Sequence, residues 1–206
     1  MNWTKIKMEA KSIIRGNLWN ILLPYIITVI ISLGVSLVMT YIIGTRGTSE
    51  EVGGVISLIA SLALYPMELG ALNYVMNFVR KESYDLNILF NYYKKFFPVV
   101  GLMILISIFV GLWTLAFIIP GIVASYSYIM APYLMVDGEE DPMECIRKSK
   151  NMMKGYKMDY FIFQLSFAGW IILSAFTFGI LFVYVIPYIN VSQILYYEEL
   201  RKLQSL

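Results

Sequence analysis

The sequence predicts an all-α fold, a bundle of helices that crosses a membrane six times. Three observations predict it: an apolar composition, a series of long apolar runs, and basic amphipathic segments between those runs. Hydrophobic residues make up 59% of the 206-residue chain and charged residues 15%, whereas an ordinary soluble domain is about 25% charged. We therefore expect a single integral membrane domain over residues 1–206.

Six apolar runs are predicted to span the bilayer, which takes about 20 residues per helix. They cover residues 18–43, 55–79, 99–119, 122–136, 160–178 and 180–197. The first run exceeds the apolar core of a signal peptide, about 7 to 15 residues, so it is expected to be retained. A polar loop at 45–54 separates the first two runs, and Pro120-Gly121 is expected to reverse the chain between the third and the fourth.

Basic amphipathic segments precede the first, third and fifth runs. Residues 1–17, 85–97 and 143–157 each place apolar side chains on one helical face and Lys or Arg on another; the last is expected to continue unbroken into its span. Such helices suit a membrane surface, where cations meet anionic phospholipid headgroups; the alternative is a solvated helix packed on its own bundle. The residues expected at headgroups are Lys7, Lys11, Arg15, Lys94, Lys95, Arg147, Lys150, Lys154 and Lys157.

The pattern also predicts topology and repeats. Every one of the 16 Lys and Arg residues except Arg46 lies on one side if both termini share that side, and the positive-inside rule makes that side cytoplasmic. The unit of interfacial helix plus transmembrane hairpin recurs over about 1–81, 82–137 and 138–206. We therefore expect three parallel repeats, with both termini inside.

Glu68 leads the candidates for chemistry inside the membrane. It lies 12 residues, roughly 18 Å, from Arg80, so a carboxylate there should face the bundle interior. It is either a proton or cation site on a polar path, or a protonated side chain hydrogen-bonded to Asn73, Asn190 or Gln193.

The C-terminal residues resemble a known family. Phe167-Ala168-Gly169-Trp170, Gly179, Pro187-Tyr188 and Tyr196-Tyr197-Glu198-Glu199-Leu200, with MMKGY upstream, are similar to the signature of the bacterial membrane family called domain of unknown function 975. The layout is more distantly similar to the membrane domain of some glycerophosphodiester phosphodiesterases. The resemblance implies a multi-pass protein of the bacterial cell membrane and supplies no catalytic residues.

Two functions stay open. One is a non-enzymatic membrane factor that binds lipid or a membrane-protein partner, in envelope maintenance or resistance; the other is a small transporter or lipid-translocating protein with its path at Glu68. The chain has no His and a single cysteine, Cys145, which excludes a His/Cys metal site and a Cys/His nucleophile pair. We expect no catalytic residues, no cofactor, no metal and no nucleic-acid partner.

Overall fold

A computed structural model describes residues 1–46 and 49–204. Within these residues the chain is helical, with 84% of it in helices and no strand. Gly47 and Thr48, in the predicted polar loop, lie outside the described residues. The helices are α1 Trp3–Ile14, α2 Leu18–Arg46, α3 Glu50–Arg80, α4 Ile88–Asn91, a 3-10 turn Tyr92–Lys95, α5 Phe96–Ala116, α6 Ile118–Tyr128, α7 Ala131–Val136, α8 Pro142–Met152, α9 Lys157–Leu165, α10 Ala168–Phe176 and α11 Phe182–Gln204.

Five stretches of the described chain are long and apolar enough to cross a membrane. They are Leu18–Thr45, Glu51–Arg80, Ile88–Ala116, Ile118–Val136 and Lys157–Phe176. The sixth predicted run, 180–197, overlaps α11 from Phe182 onward, and α11 is not among the five. The membrane class of the fold is therefore supported, and the sixth crossing stays a prediction.

The chain reverses earlier than predicted between α5 and α6. Phe117 is extended, with φ −161° and ψ 144°, and α6 already begins at Ile118. Pro120 consequently lies in the first turn of α6, where its missing N–H costs no helical hydrogen bond. Gly121 lets α6 approach Thr114 of α5 so closely that an added Cβ would lie 2.2 Å from the Thr114 Oγ1. The predicted turn pair is thus a helix start and a packing contact.

The third basic segment is not continuous with its span. The helix α8 ends at Met152, and α9 begins at Lys157 after a turn in which Gly155 has φ +84°. A left-handed backbone of this kind is easily adopted only by glycine. Gly16, with φ +87°, ends the segment that holds α1 in the same way. The middle segment has no such glycine; it forms only α4 and the 3-10 turn.

Two clusters of buried side chains hold the helices together. The larger joins α1, α3, α9 and α11, and fully buried aromatic residues dominate it. The smaller joins α3, α5, α6 and α8 around Leu102, Ala131 and Cys145. Between α3 and α4 the backbones approach so closely that a Cβ on Gly70 would lie 2.4 Å from the Leu89 carbonyl oxygen. A large share of the outer surface remains apolar, as expected of a protein solvated by lipid.

The ends of two helical hairpins are apolar and exposed. At the α5–α6 reversal, Leu115 is 86% and Phe117 is 74% exposed. At the α10–α11 reversal, Phe178 is 98% exposed and has φ +51°. Neither reversal carries a charged residue, in contrast to the Arg46–Glu51 region between α2 and α3.

Candidate functional site

A cluster of ion pairs closes one end of the bundle. Arg80, at the end of α3, pairs through Nη1 with Asp137 Oδ1 at 2.7 Å and through Nη2 with Glu198 Oε1 at 2.5 Å. Asp137 Oδ2 accepts hydrogen bonds from the Tyr197 hydroxyl at 2.6 Å and from Arg201 Nη1 at 2.8 Å. The cluster therefore joins α3, the end of α7 and α11, which belong to three different repeat units.

Four residues of this cluster line a cavity of about 740 Å³ at this end: Arg80, Asp137, Tyr197 and Arg201. Burial alone would raise the pKa of Asp137, but the hydrogen bonds from Arg80 and Tyr197 and the nearby guanidinium groups hold it below its usual range. The charges of Arg80 and Asp137 are thus neutralised by partners within the protein. This arrangement serves as a clamp between helices and leaves little free charge for a ligand.

A second anchor fastens α1 to the same end. Asp159 Oδ2 accepts hydrogen bonds from Trp3 Nε1 at 3.1 Å and from the Tyr196 hydroxyl at 2.8 Å. Ile6, Ala10 and Ile14 bury the adjoining face of α1 in the core. The segments predicted to share one side of the membrane therefore meet at one end of the bundle.

Two of the nine basic residues expected at headgroups contact aromatic rings of the bundle instead. Lys7 Nζ lies 4.4 Å from the centre of the Phe167 ring and donates to Ser166 Oγ at 2.5 Å. Lys11 Nζ lies 5.7 Å from the Trp170 ring centre. Aromatic faces attract cations, and burial, followed by the charge of Lys11, lowers the pKa of Lys7. Packing of α1 on the bundle thus places both ammonium groups beside aromatic rings, with Lys7 partly buried and Lys11 exposed.

The remaining basic residues divide by their partners. Lys95 pairs with Glu140 at 2.5 Å, and Arg147 pairs with Glu144 at 2.6 Å. Within the described chain no acidic side chain forms an ion pair with the other five, Arg15, Lys94, Lys150, Lys154 and Lys157. These five remain available for an external anion.

Two of the available cations converge on one groove. Lys150 of α8 and Lys157 of α9 line a cavity of about 170 Å³ with Trp113, Val123 and other α5 and α6 residues. An apolar depression of about 280 Å³ adjoins it and shares Val123 and Lys157. No acidic side chain of the described residues lines either part. The groove therefore combines two positive charges with an apolar floor.

Glu68 does not take the inward orientation expected of it. Its side chain is exposed, while its neighbours Met67 and Leu69 are buried. Gly70 and Leu69 make the close contacts of α3 with α4 and α5, which turns Glu68 to the outer surface. No hydrogen bond joins Glu68 to Asn73, Asn190 or Gln193 within the described chain.

The other members of the predicted polar site are half-buried. Asn73 lines the cavity at the ion-paired end and is hydrogen-bonded to Tyr92, whereas Asn190 and Gln193 lie partly buried on α11. The four residues are not joined by hydrogen bonds, so nothing in the described contacts assembles them into one site.

The clamp residues Arg80, Asp137 and Glu198 were not predicted as a site. Each terminates an apolar run on the side richest in Lys and Arg, which is the available signal. Their pairing, however, spans 118 residues between Arg80 and Glu198, and no local pattern encodes such a contact.

The fold and these sites define an all-helical protein with several helices apolar enough to span a membrane. Residues 115–204 match the family described as protein of unknown function (DUF975). This match confirms the predicted resemblance over those residues. The comparisons with curated proteins and with solved structures gave no match. The distant similarity to the phosphodiesterase membrane domain stays a prediction.

Proposed function

We propose that this chain is a non-enzymatic, multi-pass protein of the bacterial cell membrane that binds anionic phospholipid through basic residues that have no acidic partner within the described chain. The observation that carries the proposal is the division of the basic residues: Lys95 and Arg147 have acidic partners, whereas Lys150, Lys154 and Lys157 form no ion pair in the described chain. Basic residues near a membrane surface each contribute about 1 kcal/mol of attraction to anionic lipid.

The proposal includes six crossings with both termini in the cytoplasm. Residues from the first, second and third repeat units meet in the Arg80 clamp, and α1 packs against α11. Both observations support an even number of crossings, with α11 as the sixth span. The chain segments that meet at this end are rich in Lys and Arg, which supports a cytoplasmic location for it.

Lipid binding is favoured over transport because Glu68 is exposed on the outer surface of α3. A polar path needs its carboxylate to face the interior of the bundle or a water-filled cavity. The proposed role in envelope maintenance or resistance acts through lipid binding. It involves no catalytic residue.

The proposal is tested in bilayers of phosphatidylcholine with a minor fraction of spin-labelled phosphatidylglycerol. The wild type should prefer the anionic lipid, and the preference should fall as salt rises because exposed charges are screened. The triple variant Lys150→Gln/Lys154→Gln/Lys157→Gln should reduce the preference several-fold.

Glu68→Gln is the matched control, since it removes a charge from the outer surface of α3 without touching a lysine. It should leave the lipid preference unchanged. An unchanged preference in the triple variant, or no preference in the wild type, would disprove lipid binding by these residues.

A further inference from the structure

We propose that the groove between α6, α8 and α9 binds one anionic phospholipid, with its phosphate between Lys150 and Lys157 and an acyl chain along α6. The inference rests on the proposed function, for which it names one ligand and one site. It concerns a discrete site, in contrast to the diffuse attraction of all basic residues.

The charge of the groove is complementary to that of an external anion. Its lining carries Lys150 and Lys157 and no acidic side chain among the described residues. On the same helix, Arg147 pairs with Glu144, and Lys148 pairs with Glu139. Acidic partners are therefore provided for Arg147 and Lys148, whereas Lys150, which lines the groove, has none within the described chain. A phosphate group supplies the complementary charge.

The positions of both lysines are fixed by neighbouring contacts. Ser149, fully buried, donates to the Ser127 carbonyl at 2.8 Å and accepts from the Met130 N–H at 3.1 Å. This pair of bonds fastens α8 to the break between α6 and α7. The left-handed Gly155 then turns the chain so that Lys157, on α9, returns to the same groove as Lys150. Lys154 lies in the turn and does not line the groove.

The apolar part of the groove distinguishes a lipid from a soluble anion. Beyond Lys157 the lining consists of Ile122, Val123, Tyr126, Met158 and Phe161. Val123 is 46% exposed and Ile122 is 50% exposed, so this surface is open to an acyl chain. An inorganic phosphate or a free headgroup would leave it uncovered. The occupant that satisfies both parts is a whole phospholipid.

The helix α8 also carries the lysines away from the ion-paired end. Its first residue, Pro142, lies against Gly101, near the start of α5. Lys150 is eight residues further, roughly 12 Å along the helix, and lines the same groove as Trp113, near the end of α5. A phosphate held there lies deeper in the bundle than the Arg80 clamp.

Native mass spectrometry of the purified full-length chain tests the site by titration with phosphatidylglycerol. We expect one lipid to bind ahead of the others and to resist competition by glycerol 3-phosphate. Lys150→Gln/Lys157→Gln should weaken this binding roughly 30-fold, about fivefold for each lysine. The matched control, Lys5→Gln/Lys81→Gln, removes two exposed charges outside the groove and should change binding less than twofold.

Val123→Trp tests the apolar part, because it fills the groove at a half-exposed position and keeps both lysines. It should weaken binding about tenfold with an unchanged thermal unfolding temperature. Full binding in Val123→Trp, or efficient competition by glycerol 3-phosphate, would show a free-anion site and overturn the inference.

The control variant separates this inference from the proposed function. Equal losses in the two double variants would mean diffuse attraction, which overturns the discrete site and leaves lipid binding intact. Binding that no lysine variant weakens would overturn both.

Discussion

Arg80 is the residue whose contacts reach furthest along the chain. Its guanidinium group pairs with two carboxylates whose side chains are 16% and 19% exposed, those of Asp137 and Glu198. Removing one partner of a largely buried ion pair leaves the other charges unpaired and desolvated, which is far more costly than losing a surface pair.

We therefore expect Arg80→Met to lower the free energy of unfolding by about 2–3 kcal/mol. Thermal unfolding in detergent would measure the effect. Lys94→Met, at an exposed residue with no ion pair in the described chain, should change the unfolding temperature little. Adding Asp137→Asn and Glu198→Gln to Arg80→Met should restore part of the loss; a triple variant less stable than Arg80→Met would contradict the clamp.

At the scale of elements, the close packing of α3 on α4 depends on Gly70. A methyl group at this position would lie 2.4 Å from the Leu89 carbonyl oxygen and 2.6 Å from its Cα. Because these atoms are backbone, the two helices must separate to admit it.

Gly70→Ala should therefore destabilise the protein by about 1–3 kcal/mol, as overpacking does. Gly111→Ala is the matched control, because Gly111 lies within α5 and has nothing within 4 Å of an added Cβ. That substitution should be neutral or stabilising by up to about 1 kcal/mol through helix propensity. Unfolding midpoints that fall equally in both variants would argue against the close approach.

For the whole molecule, the apolar hairpin ends bear on its position in the bilayer. Phe117 and Phe178 are 74% and 98% exposed at reversals without charged residues, whereas polar residues connect α2 to α3. A lipid environment accounts for such exposure, because large exposed apolar surfaces mark contacts with a membrane.

We expect Phe117→Cys and Phe178→Cys to resist a membrane-impermeant maleimide, in intact and permeabilised cells alike. In the same Cys145→Ala background, Thr45→Cys should react from outside, and Lys94→Cys only after permeabilisation. Rapid labelling of both hairpin ends would refute their burial in lipid, and external labelling of Lys94→Cys would refute the proposed orientation.

Composition and apolar runs were sufficient to predict an all-helical, membrane-compatible fold, because both are properties of the residues themselves. The reversal at Phe117 was not predictable in this way, since Pro120 is compatible with a turn and with the first turn of a helix. The outward position of Glu68 depends on which neighbours pack against α4 and α5, and the convergence of Lys150 and Lys157 depends on one glycine turn. The local periodicity of the sequence does not predict such tertiary contacts.

The Arg80 clamp also sets an order of events during synthesis. The ribosome delivers Arg80 before Asp137 and 118 residues before Glu198, so α3 is synthesised before both of its acidic partners. The helix α1 is likewise synthesised before α11, against which it packs. A nascent chain that stops short of α11 leaves this end of the bundle open. The Arg80 guanidinium group then has Asp137 but not Glu198 as a partner, and the apolar face of α1 that packs on α11 is uncovered. Among the described elements, α11 is thus the one whose contacts complete this end of the bundle.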